Sequence, residues 1–138
     1  MIRYEENRVP SKSQVLELYH DANWTAYTND PENLLQALHN SLYVFAAFKG
    51  EQLVGLIRVV GDAKTIIYIQ DILVLKACKR KGIGKELVLR ILKRYEDVRQ
   101  VVLLTDDNPE TRGFYEALNF ESCDQGQLVA FVRLKNKK

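Results

Sequence analysis

A chain of 138 residues with 46% hydrophobic and 28% charged side chains is long enough for one sizeable core and too short for two, so a single domain over 1–138 is expected. A net charge of only +2 argues against general nucleic-acid affinity, and the N-terminus Met1-Ile2-Arg3-Tyr4-Glu5-Glu6 carries no apolar leader core. No stretch reaches membrane-spanning length, so neither nucleic acid nor a membrane is an expected partner.

In chain order, Ile2–Glu6 reads as an edge strand. Val15, Leu18, Tyr19 and Ala22 recur at helical spacing after Pro10-Ser11-Lys12-Ser13. The segment from Asn23 to Thr28 reads as a loop bearing two large aromatics, Trp24 and Tyr27. Asp30 then caps and Pro31 opens a helix whose face is Leu34, Leu35, Leu38 and Leu42. Tyr43–Phe48 and Leu53–Val60 flank Lys49-Gly50-Glu51-Gln52, which has the composition of a hairpin turn. Gly61-Asp62-Ala63-Lys64 turns into a strand over Thr65–Leu75. Ile83, Leu87, Val88, Ile91, Leu92 and Tyr95 form one helical stripe. Val101–Thr105 is a short apolar strand. Asn108 and Pro109 start a short helix lined by Phe114, Tyr115 and Leu118, with Asn119 as its left-handed stop. Leu128–Leu134 reads as a last strand, and Lys135-Asn136-Lys137-Lys138 as a solvated tail. Antiparallel strands followed by a β-α-β crossover predict an α+β sheet flanked by helices.

Two cysteines in unlike contexts, Cys78 and Cys123, suggest a reducing, cytoplasmic setting. Cys78 stands among lysines, which would lower its thiol pKa if it were exposed. The two histidines, His20 and His39, lack neighbours at ligand spacing, so no metal is expected.

The chemistry concentrates between Gln70 and Leu87. A buried strand runs into a basic turn, then Gly82-Ile83-Gly84 opens a helix, with Lys76, Lys79, Arg80, Lys81 and Lys85 around it. A glycine permits positive φ and close approach, and the helix start presents N–H groups and a positive dipole end. That combination suits a phosphate ester. A Walker A loop fails, because Lys79 stands where its first glycine belongs and Glu86 follows Gly84-Lys85. A dinucleotide fingerprint fails at Leu87, and a kinase glycine loop fails at the same place.

The motif resembles the acyl-CoA-binding loop of the GNAT superfamily of N-acyltransferases, with Lys79 where that family carries Arg or Gln. The segment Asn108-Pro109-Glu110-Thr111-Arg112-Gly113-Phe114-Tyr115-Glu116-Ala117-Leu118-Asn119-Phe120 is similar to the family's second signature. There an aromatic-Tyr pair follows an early Asn, and Asn119 replaces the usual glycine. The order of elements also matches the GNAT fold, a mixed and mostly antiparallel sheet with a β-α-β crossover. Trp24, Gly55, Arg58 and Asp71 extend the likeness toward small-amine members, including bacterial and plastid arylalkylamine-type proteins.

The resemblance implies acetyl-CoA as cosubstrate, with no metal. It places the cosubstrate against Leu73, Val74 and Leu75 of the central strand and against Lys79, Arg80, Lys81, Gly82, Ile83, Gly84 and Lys85. Asn108 and Tyr115 join that set, with Tyr115 as general acid toward the leaving thiolate. GNAT members often pair, so a homodimer is carried as an expectation. The reaction itself makes demands. An amine with a pKa of about 10 must lose a proton before it attacks. Charge developing on the thioester oxygen needs an N–H at the end of the Gln70 to Leu75 strand. Asp71 is the only carboxylate in that strand, which makes it the candidate base, directly or through water, or else a group that orients Tyr115. Trp24 and Tyr27 are candidate walls for a small amine. The alternatives are a protein lysine or N-terminal acetyltransferase and a non-catalytic acyl-CoA-binding module.

Overall fold

The computed structural model describes residues 1–135, so the end of the expected tail, 136–138, lies outside the described residues. The chain divides into two compact units, one from Met1 to Leu104 and one beginning at Thr105.

The first unit is built on a five-stranded sheet whose spatial order is its sequence order: β1 (Ile2–Glu6), β2 (Tyr43–Lys49), β3 (Gln52–Gly61), β4 (Ile66–Val74) and β5 (Gln100–Leu103). The first three pairings are antiparallel and β4 with β5 is parallel. A parallel neighbour needs a crossover. That crossover is α4 (Ile83–Arg94), whose Ile83, Leu87, Val88 and Ile91 are all buried, as the stripe predicts. Burying each such side chain contributes roughly 1.5–3 kcal/mol.

Between β1 and β2 lie α1 (Lys12–Asp21), α2 (Thr25–Thr28) and α3 (Pro31–His39). A reciprocal box starts α1: Ser11 Oγ accepts from the Gln14 N–H at 3.3 Å, and Gln14 Oε1 accepts from the Ser11 N–H at 3.0 Å. Asp30 caps α3 by accepting from the Asn33 N–H, with proline in its first turn. β2 is buried from Tyr43 to Phe48 because helices cover both sides of the central strands. Gly55 sets the spacing on the α4 side: a Cβ there would lie 2.9 Å from Ile83 Cγ2, so only glycine lets the start of α4 sit this close to β3.

Two expectations are corrected. The aromatic segment after α1 is not wholly loop, because Thr25–Thr28 forms a helical turn. Trp24 stacks edge-on against Tyr19 and tilts against Tyr27, and those contacts order a stretch whose local composition reads as coil. Leu128–Leu134 is not a strand: no element follows the 3-10 turn Cys123–Gln125 among the described residues. An extended segment becomes a strand only when a neighbour takes its N–H and C=O groups, and none among the described residues does so.

In the second unit, α5 (Pro109–Glu116) is capped by Asn108, whose Oδ1 accepts from the Thr111 N–H at 2.8 Å. Asn119 stands at φ +68° just beyond, in the left-handed region predicted for it. Arg112 gathers this unit. Its guanidinium donates to Asp107 at 2.7 Å, Ser122 at 3.1 Å and Asp124 at 3.0 Å.

Candidate active site

β4 is longer than its parallel partner, and this leaves part of it without β5 beside it. β5 pairs with Ile66 to Ile69 only, while β4 runs on to Val74 beside β3. From Gln70 to Val74 the strand therefore presents an edge that β5 does not cover. Along β3, Arg58 pairs with Asp71 but Val59 pairs with Ile69, so Gln70 is an extra residue, a β-bulge placed where β5 ends.

The ladder decides which backbone groups face that edge. The Leu75 N–H donates to Val54 O at 2.9 Å, toward β3. Alternate residues of an antiparallel strand point their N–H and C=O to opposite sides. Leu73 and Leu75 therefore turn theirs to β3, while Ile72 and Val74 turn theirs to the open edge. Of Leu73, Val74 and Leu75, the residues expected to meet the cosubstrate, only Val74 turns its backbone groups to the open edge, and Ile72, absent from that expectation, does the same.

Beyond β4, a 3-10 turn (Lys76–Cys78) leads into the basic loop, tied down where Asp21 Oδ2 accepts from the Lys76 N–H at 2.7 Å. Cys78 is buried in this turn, which removes the exposure its reactivity would need. Arg80 at φ +65° and Gly82 at φ +82° are both left-handed, with Lys81 between them outside that region. Such alternation gathers successive N–H groups into an anion-binding concavity. A left-handed arginine costs on the order of 1–2 kcal/mol, strain the sequence does not announce. Gly82 is the N-cap of α4, no side chain caps it, and a Cβ there would meet nothing within 4 Å. Lys79, Arg80, Lys81 and Lys85 are exposed around this helix start, Gly84 is half-buried and Ile83 is buried. An uncapped helix start ringed by cations, with open space at its glycine, fits a pyrophosphate.

A polar cluster joins the same strands to α1 and α2. Asp71 is 2% exposed and Arg58 6% exposed. Arg58 Nε donates to Asp71 Oδ2 at 2.7 Å. The Tyr19 hydroxyl donates to the same oxygen at 2.9 Å, and the Tyr27 hydroxyl to Oδ1 at 2.9 Å. Tyr27 also receives the Gln70 amide at 3.2 Å and Arg58 Nη2 at 3.3 Å. Burial, then the Asp71 charge, pushes both phenols above the usual tyrosine range, Tyr19 further than Tyr27. Both phenols thus remain donors. The Asp71 carboxylate is filled by three donors and neutralised by a guanidinium, so its geometry is that of an anchor and speaks against the direct-base expectation.

In the second unit, Tyr115 is buried between Phe114, with ring centroids 5.0 Å apart, and Phe120, 5.5 Å apart. Burial pushes its phenol up to about 12.

The model of the acetyltransferase (GNAT) family matches residues 11–120, from the cap of α1 through the close of the α5 segment. The chain belongs to the GNAT family of acetyltransferases. It is an acyltransferase, and the family's cosubstrate is acetyl-CoA. A GNAT acetyltransferase from Streptococcus pneumoniae TIGR4 is 32% identical, with a TM-score of 0.88 over 99% of this chain and 100% of that one. A protein from meticillin-resistant Staphylococcus aureus shares the fold at 22% identity, with a TM-score of 0.77 over 97% of this chain and 100% of that one. An aminoglycoside acetyltransferase from an uncultured soil metagenomic sample, in complex with sisomicin, shares it at 22% identity, with a TM-score of 0.70 over 98% and 97% of the two chains. A comparison with curated proteins finds no match.

In this GNAT enzyme the first unit brings Trp24, Tyr27 and Asp71 together and sets the glycine turn at the head of α4. Tyr19 and Gln70 are functional candidates that sequence reasoning missed. Tyr19 reads only as part of an apolar helical stripe, and Gln70 only as a strand residue, because a bulge leaves no mark in composition. No helix among the described residues is long and apolar enough to cross a membrane.

Proposed function

We propose that the chain acts as one acetyltransferase domain moving an acetyl group from acetyl-CoA to a small, aromatic or hydrophobic primary amine by direct attack. The observation that carries this reading is the half-exposed pair Trp24 and Tyr27, locked onto buried Asp71 beside the open edge of β4. In this reading the two aromatic faces serve as apolar walls for the amine, and Gln70, whose amide donates to the Tyr27 hydroxyl, lies beside them.

Bound acetyl-CoA supplies the activated acyl group. The N–H groups of Ile72 or Val74 meet the charge that develops on the carbonyl oxygen. Lys79, Arg80, Lys81 and Lys85, with the N–H groups of Ile83 and Gly84, hold the pyrophosphate. Asn108 caps the helix that carries Tyr115. In this scheme Asp71 is a positioning residue. It fixes the Tyr27 phenol, and the ammonium loses its proton to water. The new C–N bond forms as the C–S bond breaks, the nitrogen sheds its second proton to water, and Tyr115 protonates the departing thiolate and regains its proton from solvent. Its phenol, held near 12, keeps that proton throughout the physiological range.

Free-thiol release over a panel of arylalkylamines, polyamines, amino sugars and lysine peptides tests the proposal. Trp24→Ala should raise the KM of the preferred amine at least about ten-fold while leaving that of acetyl-CoA within about two-fold, the scale of a lost aromatic wall. Efficient peptide acetylation with every small amine inert would overturn it in favour of a protein acetyltransferase.

A further inference from the structure

The Asp71 cluster leaves one exposed acceptor unspent, and its hydrogen bonds decide which atom that is. Asp71 is paired to the Arg58 guanidinium, and a carboxylate so placed accepts hydrogen bonds and gives none. The Tyr27 hydroxyl, 2.9 Å from Asp71 Oδ1, therefore points its single proton there. Its oxygen then receives Gln70 Nε2 at 3.2 Å and Arg58 Nη2 at 3.3 Å, which together occupy both lone pairs. The phenol has nothing further to offer a ligand.

The same sequence of donors fixes the Gln70 amide. Tyr27 can only accept from it, so the NH2 group turns to the phenol and the carbonyl Oε1 turns away. Oε1 takes no donor from the described residues, and Gln70 is exposed where Asp71 is only 2% exposed. Its place on the strand is equally particular. The pairing of β4 with β5 stops at Ile69, so Gln70 is the first residue of β4 without β5 beside it. The bulge also leaves it without a partner on β3. A bulge re-aims a side chain. Here it stands an oriented amide at the open edge of β4, against the Tyr27 hydroxyl.

We infer that Gln70 is the residue that selects and orients the acceptor nitrogen, its Oε1 accepting an N–H from the incoming primary amine. The inference rests on the acetyl-transfer reading and deepens it. A neutral acceptor suits the task. It bonds an N–H of the ammonium and equally of the free amine, so it keeps its hold as the proton is lost to water. A carboxylate in that position would favour the ammonium and oppose the deprotonation that attack requires. After that loss a primary amine still has two N–H groups, one for Gln70, and a lone pair free to attack the thioester carbon.

The panel assay first identifies the preferred amine, and steady-state kinetics with that amine then compare two variants. Gln70 is exposed, so both should melt within about 3 °C of wild type, the scale of a surface substitution. Gln70→Met keeps the length of the side chain and removes the acceptor. It should raise the amine KM roughly ten-fold or more, the scale of a hydrogen bond to a charged group, with the KM of acetyl-CoA within about two-fold. Gln70→Glu keeps an acceptor and adds charge. Its amine KM should stay at or below that of wild type, while the rising limb of kcat against pH moves to higher pH, because an anion beside the ammonium holds its proton. A Gln70→Met enzyme with an amine KM within about two-fold of wild type overturns the inference. So does a Gln70→Glu enzyme that loses as much as Gln70→Met, or one whose pH profile does not move. A lysine peptide as the preferred amine would overturn the small-amine reading alone, since the same two variants test Gln70 with the peptide. A wild type that acetylates no amine of the panel overturns both.

Discussion

Asp71→Asn keeps the shape of the carboxylate and deletes its charge, which makes it the sharpest probe of the cluster between α1, α2 and β4. The side chains of Arg58 and Asp71 are 7% and 1% exposed, so water contributes little to either. Removing one member of a buried ion pair costs about 3–5 kcal/mol, because the remaining charge is left without compensation. The substituted amide can still accept from one tyrosine, which favours the lower half of that range. For a chain of this length each kcal/mol is about 3–4 °C, so the melting temperature should fall by roughly 10–15 °C. Urea unfolding should show a lower midpoint with an unchanged slope. Tyr19→Phe and Tyr27→Phe each remove one bond to a charged acceptor, and each should cost about 1.5–3 kcal/mol, less than the charge itself. Function should follow the geometry. Without its anchor, Tyr27 loses its fixed position and the amine KM rises, while acetyl-CoA affinity at the glycine turn is unchanged. An Asp71→Asn protein within about 1 kcal/mol of wild type would refute the view that this pair is the buried electrostatic centre of the unit.

Tyr115→Phe keeps the ring among Phe114 and Phe120 and deletes only the proton donor, so stability should hold while turnover falls roughly ten- to a thousand-fold. Wild-type turnover, measured where chemistry limits the rate, would reduce Tyr115 to a packing residue. Since burial holds that phenol near 12, its proton is lost only above the ordinary tyrosine range. The rate should therefore rise with pH as the amine deprotonates toward about 10, with no falling limb before then. A falling limb between about pH 8 and 9 in the wild type that disappears in Tyr115→Phe would contradict this assignment. Gly84→Val should weaken acetyl-CoA binding severely by blocking backbone approach at the head of α4, and calorimetry showing unchanged affinity in the folded variant would sink the pyrophosphate assignment.

What the sequence determined by itself is what local chemistry controls. Gly82, Gly84 and the surrounding cations are legible because an anion-binding turn needs those residues within a few positions of one another. The α4 stripe, the caps at Ser11, Asp30 and Asn108, and the left-handed Asn119 are legible for the same reason. The family resemblance follows from these short motifs. The tertiary structure decided everything that depended on register. Plain alternation from Ile69 would leave Asp71 on the same face as Ile69, toward α4. The bulge at Gln70 turns it to the other face, where Arg58, Tyr19 and Tyr27 meet it. No pattern in the residues announces one extra position in a ladder, so the three donors gathered around the candidate base were not legible. The same limit governs Leu128–Leu134. Its composition states a preference for extended backbone, but a strand exists only where another strand accepts its hydrogen bonds, and that partner is not a property of the segment.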